Sequence, residues 1–223
     1  MDKKTALLYA RLNSFKHLVN KTSGFIKWAL SKVDNPYVAC SFGKDSAVLL
    51  HLVLLHSPNI AIRFIRWKNE TEHIDNYDDV IKQWGNINLE QVVLSRDSLS
   101  DKRKDRYATT NYDSYFIGLR QEESAKRRIT LKANGMFFTN KSGVTRISPL
   151  SDWTVRDISA YAFSRELPLL KSYLDNSMES RTSSRIPRED YGIRHNFLAD
   201  LKRRDINSFQ VLLSKFPEVK DYV

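Results

Sequence analysis

Six residues, Ser41-Phe42-Gly43-Lys44-Asp45-Ser46, constrain this chain more than any other stretch. They follow the apolar run Tyr37-Val38-Ala39-Cys40 and open an apolar-periodic run from Ala47 to His56. That pattern predicts a strand, a tight turn and a helix. Such a turn aims several backbone N–H groups at one point, where the helix dipole adds partial positive charge. Gly43 lacks a Cβ and lets an anion approach the backbone closely. Ser41 and Ser46 add hydroxyl donors and Lys44 a charge. Phosphate is the guest that suits this chemistry. The loop is not a Walker A loop, because that motif needs four residues and a second glycine before its lysine.

The surrounding pattern extends the α/β reading. Ile60 to Trp67 reads as a second strand, Ile74 to Trp84 as a helix, Glu90 to Leu94 as a third strand and Tyr112 to Leu119 as a fourth. Strands alternating with helices predict a doubly wound, mostly parallel sheet of Rossmann-like type. Ligands of such sheets bind beyond the carboxyl ends of the strands, where the phosphate loop lies. Further on, Met136 to Thr139 and Val144 to Ser148 are short strand-like runs joined by the turn Asn140-Lys141-Ser142-Gly143. A helix follows from about Thr154 to Arg165, with Trp153, Val155, Ile158 and Tyr161 on its apolar side. The first 33 residues read as helical, with a second helix entered near Thr22-Ser23-Gly24, and two amphipathic segments close the chain. The expected organisation is an N-terminal helical extension at 1–34, a nucleotide-binding α/β domain at 35–174, and a basic loop with a helical tail at 175–223.

Composition bounds the function classes. Hydrophobic residues make up 41% and aromatics 11%, which argues against disorder. The net charge of +10 points to an anionic partner and leaves nucleotide, sulfate-like substrate and nucleic acid open. The one cysteine, Cys40, falls in the first strand and reads as a core residue. A single cysteine excludes an intrachain disulfide, a Cys-x-x-Cys redox pair and a cysteine-ligated iron–sulfur cluster. The histidines show no zinc spacing. No run reaches the roughly 18 apolar residues of a membrane span, and the first 20 residues lack the apolar core of a signal peptide. The expected location is cytoplasmic.

A second basic motif, Gly118-Leu119-Arg120-Gln121-Glu122-Glu123-Ser124 with Lys126-Arg127-Arg128, begins where the fourth strand ends, on the same rim as the phosphate loop. The planar fork of an arginine placed there suits a phosphate or sulfate. A third basic stretch, Glu179 to Arg188, holds Arg181, Arg185 and Arg188 among four hydroxyl residues and reads as an anion-seeking loop.

These motifs carry a resemblance. Ser41-x-Gly43-x-Asp45-Ser46 after the first strand resembles the pyrophosphate-binding loop (PP-loop) of the adenine nucleotide α-hydrolase superfamily. The string from Ser41 to Leu52, SFGKDSAVLLHL, resembles its branch of phosphoadenosine phosphosulfate (PAPS) reductases and ATP sulfurylase small subunits. Gly118 to Arg128 is similar to that branch's Gly-x-Arg-x-x-Glu-Ser-x-x-Arg motif, and Pro149 to Tyr173 to its P-L-x-D-W-T … L-P … Y segment. Arg181-Thr182-Ser183 resembles a C-terminal stretch of the sulfurylase small subunit that can close over the site.

The resemblance implies ATP or a related adenine nucleotide, with Mg2+, and chemistry at the α-phosphate. Ser41, Phe42, Gly43, Lys44, Asp45 and Ser46 would hold the pyrophosphate, with Asp45 placing magnesium or fixing the loop. Arg120 with Arg127 or Arg128 would contact phosphates or a sulfate-like oxyanion, oriented by Glu123 beside Gly118, and Arg181 and Arg185 would close over the nucleotide. Lys44, Asp45, Arg120 and Arg128 are the candidate catalytic residues.

Two departures qualify the resemblance. Reductases of the branch carry a catalytic cysteine in a C-terminal Glu-Cys-Gly-Leu-His motif, and no cysteine follows Cys40 here. Thiol attack on a sulfonucleotide therefore has no nucleophile. The second strand of relatives ends in Asp-Thr-Gly, where this chain reads Arg66-Trp67-Lys68-Asn69-Glu70-Thr71-Glu72. Glu70 or Glu72 is a candidate substitute for the aspartate. Trp67 is a candidate platform for adenine and equally a core residue at a strand end.

The expected function is adenylyl transfer to a sulfate-like oxyanion with release of pyrophosphate, completed by a partner subunit. The alternative is a nucleotide-dependent module acting with nucleic acid or a protein partner, as in DNA sulfur modification or defence. The amphipathic N-terminal pair makes a homodimer a further expectation.

Overall fold

A computed structural model describes residues 1–67, 77–94, 112–170, 173–174, 178, 191–204 and 206–223. Six strands form one sheet: β1 (Pro36–Ala39), β2 (Ala61–Trp67), β3 (Leu89–Leu94), β4 (Ser114–Ile117), β5 (Phe137–Thr139) and β6 (Thr145–Ile147). Their spatial order is β3-β2-β1-β4-β6-β5. Every neighbouring pair is parallel except β5 with β6. From β1 the chain builds outward through β2 to β3, then returns to place β4 on the other side of β1. The order reverses between β1 and β4, and a doubly wound sheet opens its ligand crevice at that point.

The helices among the described residues are α1 (Lys3–Tyr9), α2 (Asn13–Leu30), α3 (Lys44–Leu54), α4 (Tyr77–Gln83), α5 (Ala125–Asn134), α6 (Val155–Ser164), α7 (Tyr191–Arg204) and α8 (Ile206–Lys215). Val38, Ile62, Phe64, Phe116 and Ile147 bring alternate strand positions into one core with α3 and α6. Helix α3 is buried over most of its surface, with Ala47, Val48, Leu49, Leu50, Leu52 and Val53 all enclosed. That matches a sequence apolar nearly all round, as a helix between a sheet and other helices must be. Trp153 anchors α6 in the same core, and its indole N–H donates to Thr22 Oγ1 at 2.9 Å.

The N-terminal helices pack on this core. Phe15, Ile26 and Ala29 enter it, and Tyr9 Oη donates to Asp157 Oδ1 at 2.9 Å. The helix start expected at Thr22-Ser23-Gly24 is not there. Helix α2 runs through those residues, and the break falls at 10–12, where Asp2-capped α1 ends. Thr22 is used by the indole of Trp153, a contact 131 residues away in sequence, and Gly24 sits exposed at a cost of only about 1 kcal/mol. Strand β4 is also shorter than its apolar run. Asp113 is occupied with the backbone N–H groups of Asp34 and Asn35, and Leu119 turns back onto Ile117. Helices α7 and α8 and the 3-10 turn Pro217–Tyr222 make a small core of their own from Leu198, Leu201, Phe209, Leu212 and Val219.

Candidate functional site: the rim of β1 and β4

The loop from Cys40 to Gly43 leaves β1 and starts α3 with Gly43 as N-cap. Gly43 itself offers this helix no side-chain cap. The serines instead close the loop on itself. Ser41 N donates to Ser46 Oγ at 3.3 Å, the two hydroxyls lie 3.2 Å apart, and Ser46 Oγ donates to Gly43 O at 2.9 Å. The N–H groups of a first helical turn have no intrahelical partner, so an uncapped start presents them, with the positive end of the dipole, to an anion.

The positive φ in this loop belongs to Phe42 (φ 52), not to the glycine, which is extended at φ −70 and ψ 162. A bulky residue in the left-handed region costs of order 1–3 kcal/mol and persists only where its surroundings enforce it. Here the enforcement is burial. The Phe42 ring is fully enclosed and meets Phe64 edge-on, with centroids 5.2 Å apart.

Lys44 opens α3 and is only 7% exposed. Its Nζ lies 3.7 Å from Asp45 Oδ2 and 5.0 Å from the centroid of the Tyr173 ring. The other Asp45 oxygen, Oδ1, takes Arg120 Nε at 2.6 Å. Arg120, 4% exposed, also donates from Nη1 to Glu122 Oε2 at 2.5 Å. That Glu122 oxygen accepts the Val155 N–H at 2.6 Å at the start of α6. Burial works against the Arg120 charge, but Asp45, Glu122 and Glu123 outweigh it and hold the guanidinium pKa above its ordinary value. One ion-pair chain thus ties the phosphate loop to the end of β4 and to α6.

Gly118 lets those elements meet. A Cβ there would stand 3.0 Å from the Asp45 carbonyl oxygen and 3.2 Å from Ser46 N. Strand β4 therefore reaches the first turn of α3 closely only with glycine at this position. Glu123 accepts the Arg120 N–H at 3.0 Å and pairs with Arg127, and Arg128 is exposed on α5. The structure thus brings Ser41, Phe42, Gly43, Lys44, Asp45, Ser46, Gly118, Arg120, Glu123 and Arg127 to one rim. Trp67 ends β2, in register with Leu94 of β3. Arg181, Arg185, Glu70 and Glu72 lie outside the described residues.

Two participants escaped the sequence reading. Glu122, the middle of the Gln-Glu-Glu run, bridges Arg120 to α6. Tyr173 was legible only as part of a scaffold segment, and its ring faces the loop lysine. The cap of α6 is Thr154, in a capping box with Asp157. Asp152 is spent on the Gln121 side-chain amide at 2.8 Å.

Cys40 lies directly under the loop, 2% exposed, and burial pushes its thiol up to about 12. Metal ligands are scarce: the described residues hold no group of three His, Cys, Asp or Glu side chains able to bind an ion. Asp45, the candidate for magnesium, already faces Lys44 and Arg120. A protein-held magnesium site does not fit this carboxylate as it stands. No described helix is long and apolar enough to cross a membrane.

Known proteins share this sequence pattern. A phosphoadenosine 5'-phosphosulfate reductase of Photobacterium profundum is 28% identical over 181 residues, covering 64% of this chain and 65% of that protein. Sulfate adenylyltransferase subunit 2 of Methylorubrum populi is 27% identical over 205 residues, covering 73% and 66%. The chain thus spans less than two thirds of the length of either relative. Among solved structures, the PAPS reductase of Candida auris in a phosphate complex aligns with a TM-score of 0.46 at 17% identity, over 70% of this chain and 87% of that one. The family model of the phosphoadenosine phosphosulfate reductase domain matches residues 35–114 and 101–176, which span the sheet, the loop and α6. With well over half of its length matched, the chain belongs to the phosphoadenosine phosphosulfate reductase domain family.

Proposed function

We propose that this chain binds ATP or a related adenine nucleotide against the start of α3 and transfers the adenylyl group to a sulfate-like oxyanion. One observation carries the reading. An uncapped helix start with an enclosed lysine sits at the switch point of a doubly wound sheet, where β1 and β4 diverge. Such a place suits the β- and γ-phosphates of a nucleotide.

In the proposed reaction an oxyanion oxygen forms a new bond to the α-phosphorus. The bond from that phosphorus to its bridging oxygen breaks, and the electron pair leaves with pyrophosphate. Ser41, Gly43, Lys44 and Ser46 take the charge that develops on the leaving group. Arg120 acts from behind by holding Asp45 and the rim in place. Arg127 and Arg128 are the cations nearer solvent on that side, suited to the incoming oxyanion. The nucleotide phosphates rather than Asp45 would hold magnesium, because both Asp45 oxygens already face cations.

Thiol chemistry has little support here. A buried thiol with its pKa near 12 holds only a trace of thiolate at neutral pH, and thiolate is the attacking species. One relative is named as a subunit of sulfate adenylyltransferase, which favours a partner chain completing the reaction.

Pyrophosphate release from ATP and magnesium, with and without sulfate, tests this. The wild type should show sulfate-stimulated release, alone or with its partner subunit. Lys44→Ala should lower it by about 100-fold or more, the scale of losing one preorganised charge contact to the leaving group. Iodoacetamide at neutral pH should leave it unchanged. Release that persists in Lys44→Ala, or that alkylation abolishes, would sink the proposal.

A further inference from the structure

Lys44 is 7% exposed, yet the carboxylate of Asp45 stands 3.7 Å from its ammonium and is held from its other side by Arg120 at 2.6 Å. Asp45 is thus shared between two cations and leans toward the arginine. The face of Tyr173 also meets the Lys44 charge, 5.0 Å from Nζ to ring centroid.

Tyr173 is itself buried, in the same core cluster as Trp153 and Leu170, and its backbone N–H bonds to Leu170 O at 3.0 Å. Its ring is therefore a fixed surface rather than a loose side chain. An aromatic face attracts an ammonium electrostatically and takes up none of its N–H donors. A carboxylate in the same position would both neutralise the charge and occupy a donor. An aromatic platform is the arrangement that fixes a lysine while leaving it able to bind phosphate.

We propose that Tyr173 is a positioning residue for the phosphate loop, holding the Lys44 ammonium at the mouth of α3 through its ring face. The proposal rests on the nucleotide reading of the site. It assigns a part to a residue that lies 129 positions from the loop lysine and comes after α6. It also makes Tyr173 a contributor to phosphate affinity.

The test uses the full chain and two readouts. The first needs no ligand. In 1H–13C spectra of labelled lysine, the Lys44 Hε resonances should be shifted upfield by the ring. Tyr173→Phe should keep that shift and Tyr173→Leu should abolish it. The second is calorimetry with inorganic pyrophosphate and with AMP. Tyr173→Leu should weaken pyrophosphate binding by about 3- to 30-fold, the range expected for an enclosed cation–aromatic pair. It should leave AMP, which has no β- or γ-phosphate, within about two-fold. Tyr173→Phe should bind pyrophosphate as the wild type does. In a Lys44→Met background, Tyr173→Leu should add nothing, because there is no charge left to position.

Equal losses for pyrophosphate and AMP would mean that Tyr173 merely supports the fold, and would overturn the assignment. A loss in Tyr173→Phe equal to that in Tyr173→Leu would overturn it too, by making the hydroxyl the active part. Unchanged pyrophosphate binding in Tyr173→Leu overturns the positioning role and spares the nucleotide reading. A wild type that shows the upfield shift but takes up neither pyrophosphate nor ATP overturns the nucleotide reading and the positioning role together.

Discussion

Two helices begin on the same rim of the sheet and begin differently. Helix α6 starts self-contained. Thr154 Oγ1 accepts the Asp157 N–H at 3.2 Å, Asp157 Oδ2 accepts the Thr154 N–H at 2.8 Å, and Glu122 takes the Val155 N–H. Trp153 pins the start to the core. Helix α3 starts open. Its N-cap is a glycine with no side chain to offer, and the residue before it is held in the left-handed region. Its first residue is a lysine enclosed in the protein. Backbone donors at a helix start need acceptors. In α6 Thr154 and Glu122 supply them, whereas the glycine N-cap of α3 has no side chain to do so. The contrast sets a closed helix start beside an open one, the open one being where the nucleotide is proposed to bind.

The largest expected effect lies on the scaffold side. Trp153→Ala removes a side chain 1% exposed and leaves the Thr22 hydroxyl without its indole partner. It should cost about 3–5 kcal/mol of stability. The measurement is the urea midpoint at unchanged slope. Nucleotide affinity, measured well below that midpoint, should change by less than about three-fold, because among the described contacts Trp153 reaches Arg120 through its backbone carbonyl, at 3.5 Å. A variant that keeps its midpoint but loses nucleotide would erase the distinction between the two helix starts.

That division of roles was half legible in the sequence. The strand, turn and helix at 37–56 could be read because the apolar run breaks sharply into Ser, Gly and Lys and then resumes at helical spacing. The rim could be read because Gly118 and Arg120 close a short apolar run of strand length. The interlocking of the parts could not. Asp45 and Arg120 are 75 positions apart, and nothing local in either motif says that they pair. Phe42 was read as one of the residues around the pyrophosphate, and nothing local says that its ring is enclosed against Phe64 of β2. The misplaced helix start at Thr22-Ser23-Gly24 has the same origin. Three residues that usually punctuate a helix were overridden by one tertiary hydrogen bond and by the apolar positions Phe15, Ile26 and Ala29 on one face. Local propensity is a weak prior wherever burial decides.

A smaller effect comes from removing the cap of α6. Thr154→Ala leaves the Asp157 N–H without its acceptor and should lower stability by about 1 kcal/mol, within the usual 0.5–2 range for such losses. Thr154→Ser should recover most of it. Affinity for ATP should not move, since nothing in the loop touches this hydroxyl among the described contacts. If Thr154→Ala weakened ATP binding ten-fold with little loss of stability, α6 would have to be counted as part of the site.

The converse substitution has the smallest effect on stability and the opposite sign. Gly43 is extended, at φ −70 and ψ 162, a conformation that any residue adopts and that N-cap residues prefer. Gly43→Asp therefore asks for no change of φ or ψ and gives the N-cap of α3 a carboxylate acceptor. A glycine N-cap is only a few tenths of a kcal/mol worse than the preferred residues, so the variant should be as stable as the wild type or more so by about that amount. The same carboxylate would occupy the first-turn N–H groups and place a negative charge where the phosphates are proposed to sit. Affinity for ATP and for pyrophosphate should then fall by at least ten-fold while the thermal midpoint holds or rises. Gain of stability with loss of binding is the signature of a helix start kept uncapped for a ligand. Loss of stability with binding intact would mean that the open start of α3 is an accident of the turn.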